Sequence, residues 1–209
     1  MNANHASQPI RLHRFSLSGH SHRVELMLSL LKLNYQLVDV DLANGAHKKP
    51  AFLAMNPFGQ VPVIEDGETV VADSNAILVY LATQYGDGSW LPQSPAAAAA
   101  VQRWLSVAAG ELAYGPAKAR FITLFKVPAS TEEAVASAHN LFAIMEGELK
   151  ERVYLTGSTP TIADIALYTY TAHAPEGHTS LEGYPNIKHW LQRIEALPGF
   201  VAMKKSTAG

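Results

Sequence analysis

No cysteine occurs anywhere in this 209-residue chain. That absence excludes structural disulfides, thiolate-ligated metals and a catalytic protein thiol. Any thiol chemistry must therefore use a thiol brought in by a substrate. Charge is scarce as well: Asp, Glu, Lys and Arg make up 16% of the residues, and the formal net charge is -2. Without a basic excess, neither nucleic acid nor an anionic membrane is the expected partner. No apolar run is long enough to cross a bilayer. Met1–Pro9 is polar, lacks the apolar core of a secretory leader and reads as a frayed extension, so the expected setting is the cytoplasm. What is plentiful is apolar side chain, 48% of the chain. That balance suits one large or two modest globular domains and argues against a disordered chain.

The order of periodicities divides the chain. Ile10–Phe15 alternates weakly, as a strand does. A polar loop, Ser16-Leu17-Ser18-Gly19-His20-Ser21, follows. From His22 onward Val24, Leu26, Met27, Leu28, Leu30 and Leu31 form an apolar face at helical spacing. Tyr35–Val40 alternates again, so strand–helix–strand with parallel pairing is the expected unit. Pro50–Met55 suits a short helix with proline in its first turn. Val61–Glu65 and Thr69–Val71 flank Asp66-Gly67, a hairpin signal. Asp73-Ser74 then opens a helix that ends at Gly86. A linker, 87–95, carries Gly88, Pro92 and Pro95, and strand signals vanish beyond it. Helices are expected over Ala96–Leu112, from an N-cap at Thr131, from Thr161, and over Pro185–Leu197. The expectation is an α/β domain over 10–86 with the order βαβ–ββα, and an all-α bundle over 96–209.

Five segments stand out for chemistry. Asn56-Pro57-Phe58-Gly59-Gln60-Val61-Pro62-Val63 leads through a proline into an apolar strand. Asp73-Ser74 begins a helix, where outward backbone N–H groups and the helix dipole favour an anion; the same two residues read equally well as an ordinary cap. Gly45-Ala46-His47-Lys48-Lys49-Pro50 is a basic turn. The loop before the first helix offers Ser16, Ser18 and Ser21 as hydroxyls, with His20 among them and Ser21 equally suited to be only a helix cap. Thr161-Ile162-Ala163-Asp164 resembles a capping box, a structural device. His139, His173, His178 and His189 show no metal-ligand spacing, and no metal is assigned.

Together these segments make the chain, from about Arg11 to Phe200, resemble the glutathione transferase family, in its soluble, bacterial-like, serine-type form. The resemblance implies a thioredoxin-like N-terminal domain and a helical C-terminal domain lining the second-substrate site. It implies that Pro62 follows a cis peptide bond and that the Val61 main chain holds the cysteine of glutathione. It implies that Ser74 holds the γ-glutamyl carboxylate, Asp73 its ammonium, and His47 the glycine carboxylate, with Lys48 and Lys49 as rivals of His47. Counting back from Arg23-Val24, Ser18 matches the hydroxyl that stabilises the thiolate. Ser21 is the alternative, and His20 assists or lines the pocket. Trp104, Glu111, Tyr114, Arg120 and Phe121 are candidates for the second-substrate site. The implied function is conjugation of glutathione, the co-substrate, to a small hydrophobic electrophile in detoxification, by a homodimer. A glutathione-dependent peroxidase and a non-catalytic, glutathione-binding or chaperone-like protein are the alternatives.

Overall fold

The computed structural model describes residues 8–206. It separates into two compact units. One runs to Gly88 and takes in Pro198–Lys204; the other holds Ser89–Leu197. No helix of the described residues is long and apolar enough to cross a membrane.

In the first unit a four-stranded sheet has the order β2-β1-β3-β4, with β1 Ile10–Arg14, β2 Tyr35–Asp39, β3 Val63–Asp66 and β4 Thr69–Ala72. β1 and β2 are parallel, with Leu12 opposite Leu37; β1–β3 and β3–β4 are antiparallel. Parallel strands need a crossover, and α1 (Gly19–Leu30) supplies it. The central strand buries Ile10 and Leu12 completely. α2 spans Pro50–Met55, and α3 spans Ser74–Tyr85. The hydroxyls of Tyr80 and Tyr85 both donate to Asp66 Oδ2, at 2.8 and 2.5 Å, which ties the Asp66-Gly67 hairpin turn to α3. The 198–204 segment is held by His22 Nε2 on the Val201 carbonyl at 2.9 Å and by Ser29 Oγ donating to the Gly199 carbonyl at 2.7 Å.

One boundary differs from the sequence expectation. α1 starts at Gly19, three residues before His22, and its cap is Ser18, not Ser21. Ser18 has an extended backbone, and its Oγ accepts the Ser21 N–H at 3.3 Å. Gly19, His20 and Ser21 conceal this first turn: Gly19 and Ser21 are buried, but such small or polar residues leave no apolar period to read.

The second unit contains α4 (Pro95–Ala109), α5 (Lys118–Leu124), α6 (Glu132–Lys150), α7 (Ile162–Ala172) and α8 (Pro185–Glu195). α7 is buried from Ile162 to Thr171. α8 buries Ile187, Trp190, Leu191 and Ile194, the i, i+3, i+4, i+7 stripe of an amphipathic helix. The capping box is present: Asp164, wholly buried, accepts from Thr161 N at 2.8 Å. It also accepts from Leu155 N and Trp190 Nε1, both at 2.9 Å. α5 is absent from the sequence expectation because Gly115-Pro116 breaks the helical pattern just before this short element. Thr131 makes no side-chain cap for α6; Ser130 Oγ accepts the Glu132 N–H at 3.1 Å instead.

Candidate active site

A cleft of about 760 Å³ opens in the sheet unit. One wall is the Asn56–Pro62 loop. Asn56 is buried and organises it, accepting Phe58 N at 3.1 Å and donating from Nδ2 to the Gln60 carbonyl at 2.8 Å. Gly59 sits at φ +60, where a Cβ would come within 2.8 Å of the His47 carbonyl, so a side chain at this position meets both strain and backbone. Lys48 Nζ donates to the carbonyls of Phe58 and Gly59, at 3.2 and 3.1 Å, so its ammonium braces the loop. Beneath lies an apolar cluster of Val40, Phe52 and Val63, against which Val61, Met55 and Ala72 pack. The Val61–Pro62 peptide bond is cis. Val61 lies beyond the β1–β3 ladder, whose last register is His13–Val63.

The opposite wall is the start of α3. Asp73 caps that helix, its Oδ1 accepting Asn75 N at 2.9 Å and Ala76 N at 3.0 Å. It does so at φ +74 and ψ 128, outside the regions favoured by L-residues. Ser74, at the first helical position, is buried. Its Oγ accepts from Arg23 Nη1 at 3.1 Å and lies 3.4 Å from His20 Nδ1. Arg23 also donates to Asn75 Oδ1 at 2.7 Å. Burial, and secondarily the Arg23 charge, push His20 down to about 3, so its imidazole is neutral at ordinary pH.

The sequence candidates thus separate. His20, His47, Lys48, Val61, Pro62, Asp73 and Ser74 line the one cleft. The Nδ1 of His47 is buried without a hydrogen-bond partner among the described residues. Ser18 is outside the lining set and stands at the head of α1, two residues before His20. Ser21 faces a smaller, separate pocket with Arg14 and Glu25, and its Oγ accepts Phe15 N at 3.3 Å. In the helical unit Trp104 and Arg120 are buried, and Arg120 pairs with Glu176 at 2.8 Å. Tyr114 and Phe121 are exposed there, as is Glu111. Sequence reasoning missed Arg23 and Asn56 as organisers of the site. The available signal for Arg23 was a cation set among the apolar positions of α1.

A cis-proline loop facing a capped helix N-terminus, on a βαβ–ββα sheet, defines a thioredoxin-like unit, here in one chain with an all-helical unit. Comparison with known proteins agrees. Residues 17–84 match the family model described as "Glutathione S-transferase, N-terminal domain", and 97–198 match "Glutathione S-transferase, C-terminal domain". Glutathione S-transferase 3 of Zea mays is 32% identical over 203 residues, covering 92% of this chain and 91% of its own. A glutathione S-transferase structure from Pseudomonas fluorescens superposes with TM-score 0.88 at 36% identity, over 95% of this chain and 100% of that one. A glutathione transferase homologue from Drosophila mojavensis, solved with bound glutathione, gives TM-score 0.83 at 27% identity, over 91% and 89% of the two chains. The chain belongs to the glutathione S-transferase family.

Proposed function

We propose that this protein conjugates the thiol of glutathione to a small hydrophobic electrophile. One observation carries the reading: a single cleft lined by groups that suit the γ-glutamyl end, the cysteine main chain and the glycine carboxylate of that tripeptide. The Asp73 carboxylate suits the γ-glutamyl ammonium, and Ser74 with the α3 N-terminus suits the adjacent carboxylate. The Val61 main chain, beyond the end of its ladder, suits the extended cysteine backbone, as in strand addition. His47 suits the glycine carboxylate.

The chemistry needs a thiolate. A free cysteine thiol has a pKa of about 8.5, so only roughly 3% is ionised at pH 7. Ser18 Oγ accepts a backbone N–H, and its own proton is the one offered to sulfur, with the positive end of the α1 dipole adding to it. The thiol gives up its proton to solvent, and the thiolate then attacks the electrophilic carbon. A carbon–sulfur bond forms, and the leaving group departs with the electron pair of the bond it breaks. A homodimer, a cytoplasmic setting and a role in detoxification belong to the same reading, by family resemblance.

Retention on immobilised glutathione together with conjugation of an aryl halide is the expected result. Turnover of hydroperoxide alone would make the protein a peroxidase; binding without turnover would make it a non-catalytic binder. Ser18→Ala should raise the pKa of the bound thiol by about one unit, since a hydrogen bond to a charged group is lost. An unchanged thiol pKa removes Ser18 from the donor role.

A further inference from the structure

The Ser74 hydroxyl has one proton and two lone pairs. Arg23 Nη1, which can only donate, takes one lone pair at 3.1 Å. The remaining neighbour given by the geometry is His20 Nδ1 at 3.4 Å, and both residues line the same cleft. Two arrangements satisfy this contact. With Nδ1 unprotonated, the Ser74 proton is used on His20 and is not available to a ligand. With Nδ1 protonated, His20 donates into the second lone pair, and the Ser74 proton has only the cleft to point into. A carboxylate at the α3 N-terminus accepts that proton and so selects the second arrangement.

We propose that His20 is a positioning residue for the carboxylate of the ligand: its Nδ1–H donates to Ser74 Oγ beside Arg23 and directs the Ser74 proton into the cleft. This assignment rests on the glutathione reading above. The imidazole carries one proton throughout, held on Nδ1 in the complex, and no net proton is taken up. Burial next to Arg23 keeps His20 neutral, which is what lets it exchange tautomers without gaining charge. Accepting from a guanidinium also polarises the Ser74 O–H and makes it a stronger donor to an anion.

The test uses the wild-type protein and two ligands, glutathione and γ-aminobutyryl-Cys-Gly, which lacks only the γ-glutamyl carboxylate. ¹⁵N NMR of the imidazole should show His20 Nδ1 protonated in the glutathione complex. An unprotonated Nδ1 there overturns the proposal, and no substitution is needed to see it. By calorimetry, His20→Ala should weaken glutathione about fivefold, the worth of one neutral hydrogen bond, and the carboxylate-free analogue less than about twofold. His20→Asn, which keeps an N–H near the Nδ1 position, should restore glutathione affinity; His20→Gln should not. Equal weakening of both ligands by His20→Ala, or rescue by Gln in place of Asn, refutes the assignment. If the wild-type protein binds neither ligand, the glutathione reading itself fails and this one with it. Binding of glutathione with His20 Nδ1 unprotonated defeats this proposal alone.

Discussion

Replacing Asp73 in three ways separates a structural burden from a ligand contact at one residue. Asp73 occupies φ +74 and ψ 128. A non-glycine residue held in such a region costs on the order of 1–3 kcal/mol. Its carboxylate offsets part of this by capping α3 through Asn75 N and Ala76 N, and an N-cap side chain contributes about 1 kcal/mol. Asp73→Ala keeps the strain and loses the cap, so it should destabilise by about 1 kcal/mol. Asp73→Gly relieves the strain, loses the cap and adds chain entropy; these terms nearly cancel, and stability should stay within about 1 kcal/mol of wild type. Asp73→Asn keeps a capping oxygen and the strain, so stability should change by less than about 0.5 kcal/mol. Ligand affinity follows a different order. Asp73 is exposed, so the charge-assisted bond to the γ-glutamyl ammonium is taken at its lower bound, about 1.5 kcal/mol. That is roughly tenfold in Kd, lost equally in Asn, Gly and Ala. Urea unfolding and calorimetry with glutathione measure the two axes. Wild-type affinity in Asp73→Asn would show that the carboxylate holds no ammonium. A loss above about 2 kcal/mol in Asp73→Gly would refute the strain argument.

Two further predictions concern the helical unit. Asp164→Ala leaves the Leu155 and Thr161 amides and the Trp190 indole N–H buried without an acceptor. At about 1–3 kcal/mol per orphaned group, the loss should reach about 3 kcal/mol or more, read as a lower urea midpoint; a loss below about 1 kcal/mol contradicts the network. The second concerns acid. Burial lowers His173 below the usual imidazole range despite the opposing Glu176. Burial pushes Glu176 up, but hydrogen bonds from His173, Ser206 and Arg120 outweigh it and hold the carboxyl below its usual range. In both cases the unfolded chain binds more protons than the folded one. Stability should therefore fall as pH drops below the unfolded histidine value of 6.5 and continue to fall through the carboxylate range. Glu176→Gln should flatten the lower part of that decline in thermal unfolding, and an unaltered slope excludes Glu176 as its source.

Local signals sufficed where the physics is local. The Asp66-Gly67 hairpin, proline in the first turn of α2, and the Thr161–Asp164 capping box all use neighbours within a few residues, and all appear in the structure. The βαβ–ββα order followed from periods of two and 3.6, because burial on one face imprints its period on the chain. α5 was lost because Gly115-Pro116 interrupts the period beside a short element. α1 began earlier than its apolar face because its first turn is polar.

The sequence alone therefore determined the βαβ–ββα order, the absence of any protein thiol, and most of the candidate residues that line the cleft. Tertiary structure decided which of them meet and what each one touches. Lys48 became a brace for the 56–60 loop, Ser21 faces a different pocket from Val61, and Ser18 turned out to cap α1. Arg23 joined Ser74 across 51 residues of sequence. Helix and strand preferences are set by contacts a few residues apart, whereas the partner of a buried guanidinium or imidazole is set by which segments the sheet brings together. No periodicity in the chain encodes that meeting.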